Sequence, residues 1–261
     1  MPGPRLPVAA VANGIDAAPL PRRKGTGAAP VILCVGRFTA QKLHCTLVLA
    51  LARLHKAGLP ARLQLVGSGP LQPRLERLAA RLGLTDAVDF LGRRDDVPAL
   101  MAQADLLALP SAFEGLPLVL LEAMAADLPV VATRIGPSVE ALGADHPWLV
   151  PPRRSRDLAD ALADALDNPE RRAITARRQA ARFAERFTAG HMAAGTARIY
   201  RAALRHRTGD RMDKVRLGFI GAGGIAHRHF GVLETMPDVA VVAITDPDAG
   251  RAEDAARLPR A

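Results

Sequence analysis

The sequence has few cysteines, few aromatic residues and no long apolar run. Cysteine occurs twice in 261 residues, and aromatic residues make up 3% of the chain. Two cysteines cannot build a disulfide framework, and no stretch approaches the ~18 consecutive apolar residues of a membrane-spanning helix. The N-terminus lacks a basic segment followed by an apolar one, so the sequence predicts no secretory signal. We therefore expect a cytoplasmic chain.

Acidic residues are outnumbered by basic ones, and almost all of the basic residues are arginine. The net charge is +9. Most of the excess lies in residues 151–211, which hold fourteen arginines against seven acidic residues. Such a stretch would suit a peripheral contact with the inner membrane surface. The scarcity of aromatic residues and the lack of zinc-ligand spacing argue against a nucleic-acid partner. Arginine together with abundant alanine is also typical of a GC-rich genome.

Apolar segments alternate with helical segments along the first 200 residues. The predicted strands cover residues 31–36, 62–69, 87–92, 105–110, 129–133 and 148–152. The predicted helices cover residues 42–57, 70–82, 96–104, 117–126, 155–167, 169–187 and 189–206. Apolar strands that alternate with helices are typical of a parallel sheet covered on both faces. The sequence thus predicts an α/β domain at 31–204 with a Rossmann-like parallel sheet and helices on both faces.

Both ends of the sequence differ from this domain. Residues 19–30 are rich in proline, arginine and glycine, and we interpret residues 1–30 as a linker from a missing N-terminal domain. Residues 205–214 are polar and basic, which predicts a second linker. Residues 215–261 contain the strand, helix and strand of a truncated second Rossmann-type βαβ unit. We expect the chain to begin after one domain and to end inside another.

The loops that follow the predicted strands hold candidate ligand-binding residues. In an open parallel sheet, ligands bind beyond the carboxyl ends of the strands. Arg37 and Lys42 flank the loop after the first strand, where both could reach an anion at a helix N-terminus. The alternative is that they are two solvated surface cations.

Two glutamates separated by seven residues stand beside a predicted helix start. Pro117 at the first helical position would leave Glu114 in the preceding loop and put Glu122 on the second helical turn. The helical rise then sets them roughly 10 Å apart, about the span from a sugar ring across a diphosphate to a ribose. The amides of Gly115 and Leu116 would lie near the positive helix end, which suits phosphate. Glu122 could instead be a paired carboxylate of the core, since an unpaired buried charge is costly.

Four segments together resemble a known enzyme family. They are GRFTAQK, VGSGPLQPRLERLAARLGL, the long segment that ends in PSAFEGLPLVLLEAMAADLPVVAT, and WLVPP. These segments resemble the C-terminal, donor-binding half of glycosyltransferase family four, whose members are retaining enzymes with the GT-B fold. The resemblance covers residues 11–204. It implies transfer of a sugar from a nucleotide-diphosphate sugar to an unknown sugar, lipid or small-molecule acceptor. Since residues 31–204 hold no Asp-x-Asp motif, we expect no metal and no cofactor requirement.

The resemblance also implies roles for individual residues. Arg37 and Lys42 would bind the diphosphate and, together with Glu114, would be the catalytic residues. Glu114 would contact hydroxyls of the transferred sugar, and Glu122 the ribose. The other donor-binding residues implied are Gly69, Arg93, Gly115 and Leu116, with the loop at 92–94 and Val97 bordering the base.

The chain departs from the family pattern at three turns. Leu43 and Asp127 stand where the family has glycine, and Gly136–Pro137 replaces a double glycine. Glycine gives the backbone a freedom that other residues lack, so we expect local strain at these turns. None of the departures removes a charged ligand.

A glycine-rich fingerprint opens the second unit. The segment GAGGIA follows an apolar strand, and Asp246 follows the next one. This arrangement is typical of dinucleotide binding: Gly221 makes the turn, Gly223 admits the pyrophosphate, Ala226 completes the motif and Asp246 binds the ribose. Residues 212–261 resemble the N-terminus of the glucose–fructose oxidoreductase and inositol dehydrogenase family. The cofactor implied is NAD(P), although we expect so short a unit not to bind it.

Three functions stay open at this point. The first is a retaining glycosyltransferase represented by its donor-binding half. The second is a fragment of an NAD(P)-dependent oxidoreductase fused to a nucleotide-binding domain. The third is a catalytically silent nucleotide-binding module. The nearly whole transferase half and the short dinucleotide unit favour the first.

Overall fold

The computed structural model describes residues 10–17, 20, 29–205, 215–220, 233, 236 and 239–245. The chain divides into two compact units. One is Ala12–Ala189, and the other combines Met1–Val11 with Gly190–Ala261.

Six parallel strands form the sheet of the first unit. They are β1 Val31–Val35, β2 Arg62–Val66, β3 Val88–Gly92, β4 Leu106–Leu109, β5 Val130–Thr133 and β6 Leu149–Val150. Their order is β3-β2-β1-β4-β5-β6, and all neighbouring strands pair in parallel. The chain runs outward from β1 to β3 and then returns to the other side of β1 as β4. The point between β1 and β4 is therefore a topological switch point, where open α/β sheets bind ligands.

The described residues include eight α-helices. They are α1 His44–Lys56, α2 Gln72–Arg81, α3 Val97–Gln103, α4 Leu118–Ala125, α5 Gly136–Leu142, α6 Ser155–Asp167, α7 Pro169–Arg186 and α8 Ala189–Arg205. Within the described part of the chain, no helix combines the length and the hydrophobicity needed to span a bilayer.

The sheet is buried on both faces. Ile32 and Cys34 of β1 lie in one apolar cluster, with residues of α1 and α6, whereas Leu33 lies in a second cluster with residues of α4. Because successive side chains of a strand point to opposite faces, each cluster covers one face of the sheet. Burial raises the pKa of the Cys34 thiol to about 12, so this cysteine is an inert part of the core. The predicted Rossmann-like parallel sheet with helices on both faces is confirmed.

Two predicted helical details are wrong. The helix predicted at 42–57 begins at His44, because Ala40–Lys42 forms a 3₁₀ turn that ends at Leu43. The short helix α5 was not predicted, since it opens with Gly-Pro and has only seven residues. Both differences lie at turns near the carboxyl ends of strands.

Backbone strain is found at both positions where another residue replaces one glycine of the family pattern. Leu43 and Asp127 both have φ of 50°, in the left-handed region that glycine favours. Only one other non-glycine residue of the described chain, Arg153, has a positive φ. Gly136 is not among the positive-φ residues, so the third departure introduces no such strain.

Asp127 offers a test of this strain, because it is exposed just after α4. We expect Asp127→Gly to have a free energy of unfolding about 1 kcal/mol higher than Asp127→Ala, since a left-handed non-glycine residue costs roughly 1–2 kcal/mol. Asp127→Ala is the control, because it removes the same side chain but keeps Cβ. Urea unfolding should rank glycine above alanine at this position. Equal stability of the two variants would contradict the strain.

Among the described residues of the second unit, β7 Val215–Ile220 and β8 Val239–Thr245 pair in parallel. Parallel neighbours need a crossover connection, as the predicted βαβ unit has. The fingerprint residues Gly221, Gly223, Ala226 and Asp246 lie outside the described residues, as does 206–214 of the predicted linker.

Part of the predicted N-terminal linker packs into the first unit. Ile15 is 5% exposed and forms an isolated parallel bridge with Thr188. Its amide donates to the carbonyl of Phe187, and its carbonyl accepts from the amide of Ala189. The domain boundaries drawn from the sequence stay predictions.

Candidate functional site

The loops that follow β1 and β4 meet at the switch point of the sheet. The amide of Ala112 donates to the carbonyl of Gln41 over 2.8 Å. The Gln41 side-chain amide donates in turn to the carbonyl of Phe113 over 2.9 Å. Gln41 thus ties the two loops together through both its backbone and its side chain.

This junction brings Lys42 and Glu114 into contact. Lys42 Nζ lies 2.5 Å from Glu114 Oε1, and their side chains are only 18% and 9% exposed. Ser111 Oγ donates to the same carboxylate oxygen over 2.6 Å, and Gln41 Nε2 lies 3.4 Å from the other one. The alternative of two solvated surface cations is therefore wrong for Lys42, which is a partly buried member of an ion pair.

A cavity of about 380 Å³ opens at the carboxyl ends of β1, β2 and β3. Arg37 and Arg93 line it and are exposed, and no hydrogen bond or ion pair to another side chain engages them within the described residues. Arg94 also lines it but is paired with Asp96 at 2.7 Å. Two unengaged guanidinium groups make this cavity suitable for an anion. Val97 also lines the cavity, and its place beside the base stays a prediction.

Two glycines allow the loops after β1 and β2 to approach closely. A Cβ on Gly67 would lie 2.1 Å from the carbonyl oxygen of Gly36. A Cβ on Gly69 would lie 2.6 Å from the carbonyl oxygen of Phe38. Gly69 therefore has a packing role, because any side chain there would displace the loop after β1. Its contact with the donor stays a prediction.

Glu122 is half-buried in α4 and has no partner. Within the described residues, no hydrogen bond or ion pair reaches its carboxylate, and burial raises its pKa. The alternative of a paired core carboxylate is therefore wrong. Pro117 is the extended N-cap residue and not the first helical residue. Gly115 and Leu116 precede this helix start, and no side chain caps it.

His44 lies next to the ion pair but adds no charge to it. The ring is 2% exposed and packs edge-on against Phe38, with 4.9 Å between the ring centroids. Neither ring nitrogen has a hydrogen-bond partner in the described structure. Burial, and then the charge of Lys42, lower the pKa of His44 to about 4. The imidazole is therefore neutral at pH 7.

The sequence analysis identified Lys42 and Glu114 as candidate site residues but missed Gln41 and Ser111. Both missed residues stand inside the motifs that carried the family resemblance, next to or three residues from a predicted site residue. Their contacts depend on β1 and β4 being neighbours. Both could have been identified as polar residues in the two loops that hold the predicted binding residues.

Comparison with known proteins decides the family. Residues 29–168, more than half of the chain, match the family model described as glycosyl transferases group 1. The chain belongs to this family. The family match ends at residue 168, so the oxidoreductase resemblance of 212–261 gains no support and stays a prediction.

Several curated relatives are similar over about half of their own length. The alpha-D-kanosaminyltransferase of Streptomyces kanamyceticus is 34% identical over 188 residues, which is 70% of this chain and 48% of that protein. A GDP-mannose-dependent phosphatidylinositol monomannoside mannosyltransferase of Mycobacterium tuberculosis is 37% identical over 164 residues, 59% of this chain and 43% of that protein. The chain therefore spans about half the length of the curated relatives it matches.

Solved structures of HepE from Anabaena are similar in fold. The complex of HepE with UDP is 29% identical and has a TM-score of 0.60. The match covers 67% of this chain and 48% of HepE. HepE has also been solved with UDP-glucose.

Proposed function

We propose that this group 1 chain binds a nucleotide-diphosphate sugar at the carboxyl edge of its sheet and takes part in retaining transfer of the sugar to an acceptor. The observation that carries the proposal is the Lys42–Glu114 ion pair at the switch point, beside a cavity lined by two unengaged arginines. The UDP and UDP-glucose complexes of HepE and the GDP-mannose dependence of the mycobacterial relative support it.

Positive charge at this edge would act on the leaving group. As the bond between the sugar and the diphosphate breaks, negative charge develops on the diphosphate. Lys42, which Glu114 already holds in the ion pair, would stabilise that charge together with Arg37 at the cavity and the N-terminus of α4, which no side chain caps. Preorganised groups of this kind are often the largest single contribution to catalysis.

The two glutamates would recognise different parts of the donor. Ribose hydroxyls would donate to Glu122, whose carboxylate has no partner in the chain. Hydroxyls of the sugar would donate to Glu114, which lies at the other end of the motif. A carboxylate that accepts such hydrogen bonds is worth roughly 1.5–3 kcal/mol per bond.

Two isosteric variants test this division. We expect Glu122→Gln to weaken UDP and UDP-glucose alike, by about tenfold or more, because each ligand carries the ribose. We expect Glu114→Gln to spare UDP and to weaken only UDP-glucose. Calorimetric titration measures both, and GDP with GDP-mannose forms the second probe pair. Equal losses for both ligands in both variants would defeat the proposal.

Glu122→Gln should also stabilise the protein. Burial raises the folded-state pKa of Glu122 above its ordinary value of 4.5, so the ionised carboxylate destabilises the folded state at any pH above the folded pKa. The destabilisation disappears below pH 4.5, where both states are protonated. We expect Glu122→Gln to raise the free energy of unfolding at pH 7, with a gain that fades as the pH falls through the folded pKa. A less stable variant at pH 7 would mean that the carboxylate has a structural partner.

A further inference from the structure

We propose that Ser111 and Gln41 are positioning residues that hold the Glu114 carboxylate in place for the sugar of the bound donor. This inference rests on the proposed function and extends it, because it concerns how the carboxylate keeps its orientation. It gives a role to two residues that contact the Glu114 carboxylate.

Ser111 is itself held by the sheet. It is fully buried, and its Oγ donates to Glu114 Oε1 over 2.6 Å. Its carbonyl accepts a hydrogen bond of 2.5 Å from Thr133 Oγ1 at the end of β5. Thr133 is 2% exposed. A rigid neighbouring strand thus fixes the residue that orients the carboxylate.

Gln41 approaches the carboxylate from the other loop. Its side-chain amide lies 3.4 Å from Glu114 Oε2 and 2.9 Å from the carbonyl of Phe113. Its own carbonyl accepts from the amide of Ala112. Each oxygen of Glu114 is therefore contacted by a neutral donor, and the two donors come from different loops.

The neutral donors matter because Lys42 would have two tasks. In the structure Lys42 neutralises Glu114, and in the proposed function it also binds the diphosphate. If Lys42 turned toward a ligand and no other donor remained, leaving a carboxylate that is 9% exposed without a partner would be costly. Ser111 and Gln41 satisfy both oxygens without using Lys42. The carboxylate can thus keep its place while the lysine contacts the diphosphate.

Ser111→Ala and Gln41→Met test the inference in the full chain. Each variant removes one donor and approximately keeps the size of the side chain. We expect UDP-glucose affinity to fall about tenfold, since hydrogen bonds to charged groups are the stronger kind. We expect UDP affinity to change less than about twofold, because free UDP lacks the transferred sugar that Glu114 would contact. The ratio of the two affinities is the readout, because a merely structural contact would leave it unchanged.

Ser138→Ala is the matched control. Ser138 is also fully buried, but its Oγ has no hydrogen-bond partner within the described structure. We expect this variant to leave both affinities unchanged. If Ser111→Ala does not fold, the affinity ratio of Gln41→Met alone tests the inference, because Gln41 is only half-buried.

The outcomes separate this inference from the proposed function. If the unaltered chain binds none of the four ligands UDP, UDP-glucose, GDP and GDP-mannose, the proposed function is wrong and the inference is overturned with it. If the unaltered chain binds and the variants lose both ligands equally or lose neither, only the inference is overturned. A loss confined to the sugar-bearing ligand supports it.

Discussion

Replacing Lys42 with alanine is expected to weaken the binding of a nucleoside diphosphate by about 10- to 150-fold. A hydrogen bond to a charged group is worth roughly 1.5–3 kcal/mol, and the proposed diphosphate would lose one such bond together with a nearby positive charge. Calorimetric titration with UDP and GDP measures the loss. Lys56→Ala is the matched control, because Lys56 is exposed at the end of α1, away from the loops after the strands.

The ion pair adds a second expectation for the same variant. Lys42→Ala leaves Glu114 with only its neutral donors, and breaking a fully buried pair costs about 3–5 kcal/mol. Because this pair is partly exposed and two donors remain, we expect a smaller loss of stability, about 1–2 kcal/mol. Adding Glu114→Gln to Lys42→Ala should restore much of the stability but none of the UDP affinity. Unchanged UDP affinity in the less stable Lys42→Ala variant would make Lys42 a structural residue only.

The largest loss of stability is expected for Gly67→Ala. Its Cβ would lie 2.1 Å from the backbone oxygen of Gly36, and its φ of 133° disfavours any side chain. Since the obstacle is backbone, the loop after β1 would have to move. We expect destabilisation of about 4 kcal/mol or more, at the exceptional end of single substitutions.

Gly83→Ala is the control for Gly67→Ala. Gly83 also has a positive φ, 69°, but a Cβ there would meet nothing within 4 Å. We expect it to cost only about 1–2 kcal/mol, the price of a left-handed L-residue. Urea unfolding followed by circular dichroism compares the two. Similar losses at both positions would show that the close approach of the two loops is not needed.

The sequence could predict the layers of the fold because each buried strand is a short apolar run. It could not predict that β4 lies beside β1, since strand order depends on packing across the whole sheet. For this reason Lys42 and Glu114 were each proposed as site residues, yet their contact was not foreseen. The same limit hid Gln41 and Ser111, whose partners lie on the opposite loop.

Backbone strain could be predicted from the sequence more directly than these side-chain contacts. Strain at Leu43 and Asp127 followed from glycine-like turns occupied by other residues, and both have a left-handed φ. Whether the Glu122 carboxylate has a partner could not be predicted in this way. An apolar helix allows either a paired or an unpaired carboxylate, and only the packed structure shows the latter.

Amide hydrogen exchange with and without ligand tests most directly whether a nucleotide-diphosphate sugar binds at the carboxyl edge of the first unit. With saturating UDP-glucose or GDP-mannose, we expect slower exchange in the loops at 36–43, 67–71, 93–97 and 112–119. Exchange in α6 and α7 should not change. Failure of both ligands to slow exchange in these loops, or slowing confined to other parts of the chain, would contradict the account.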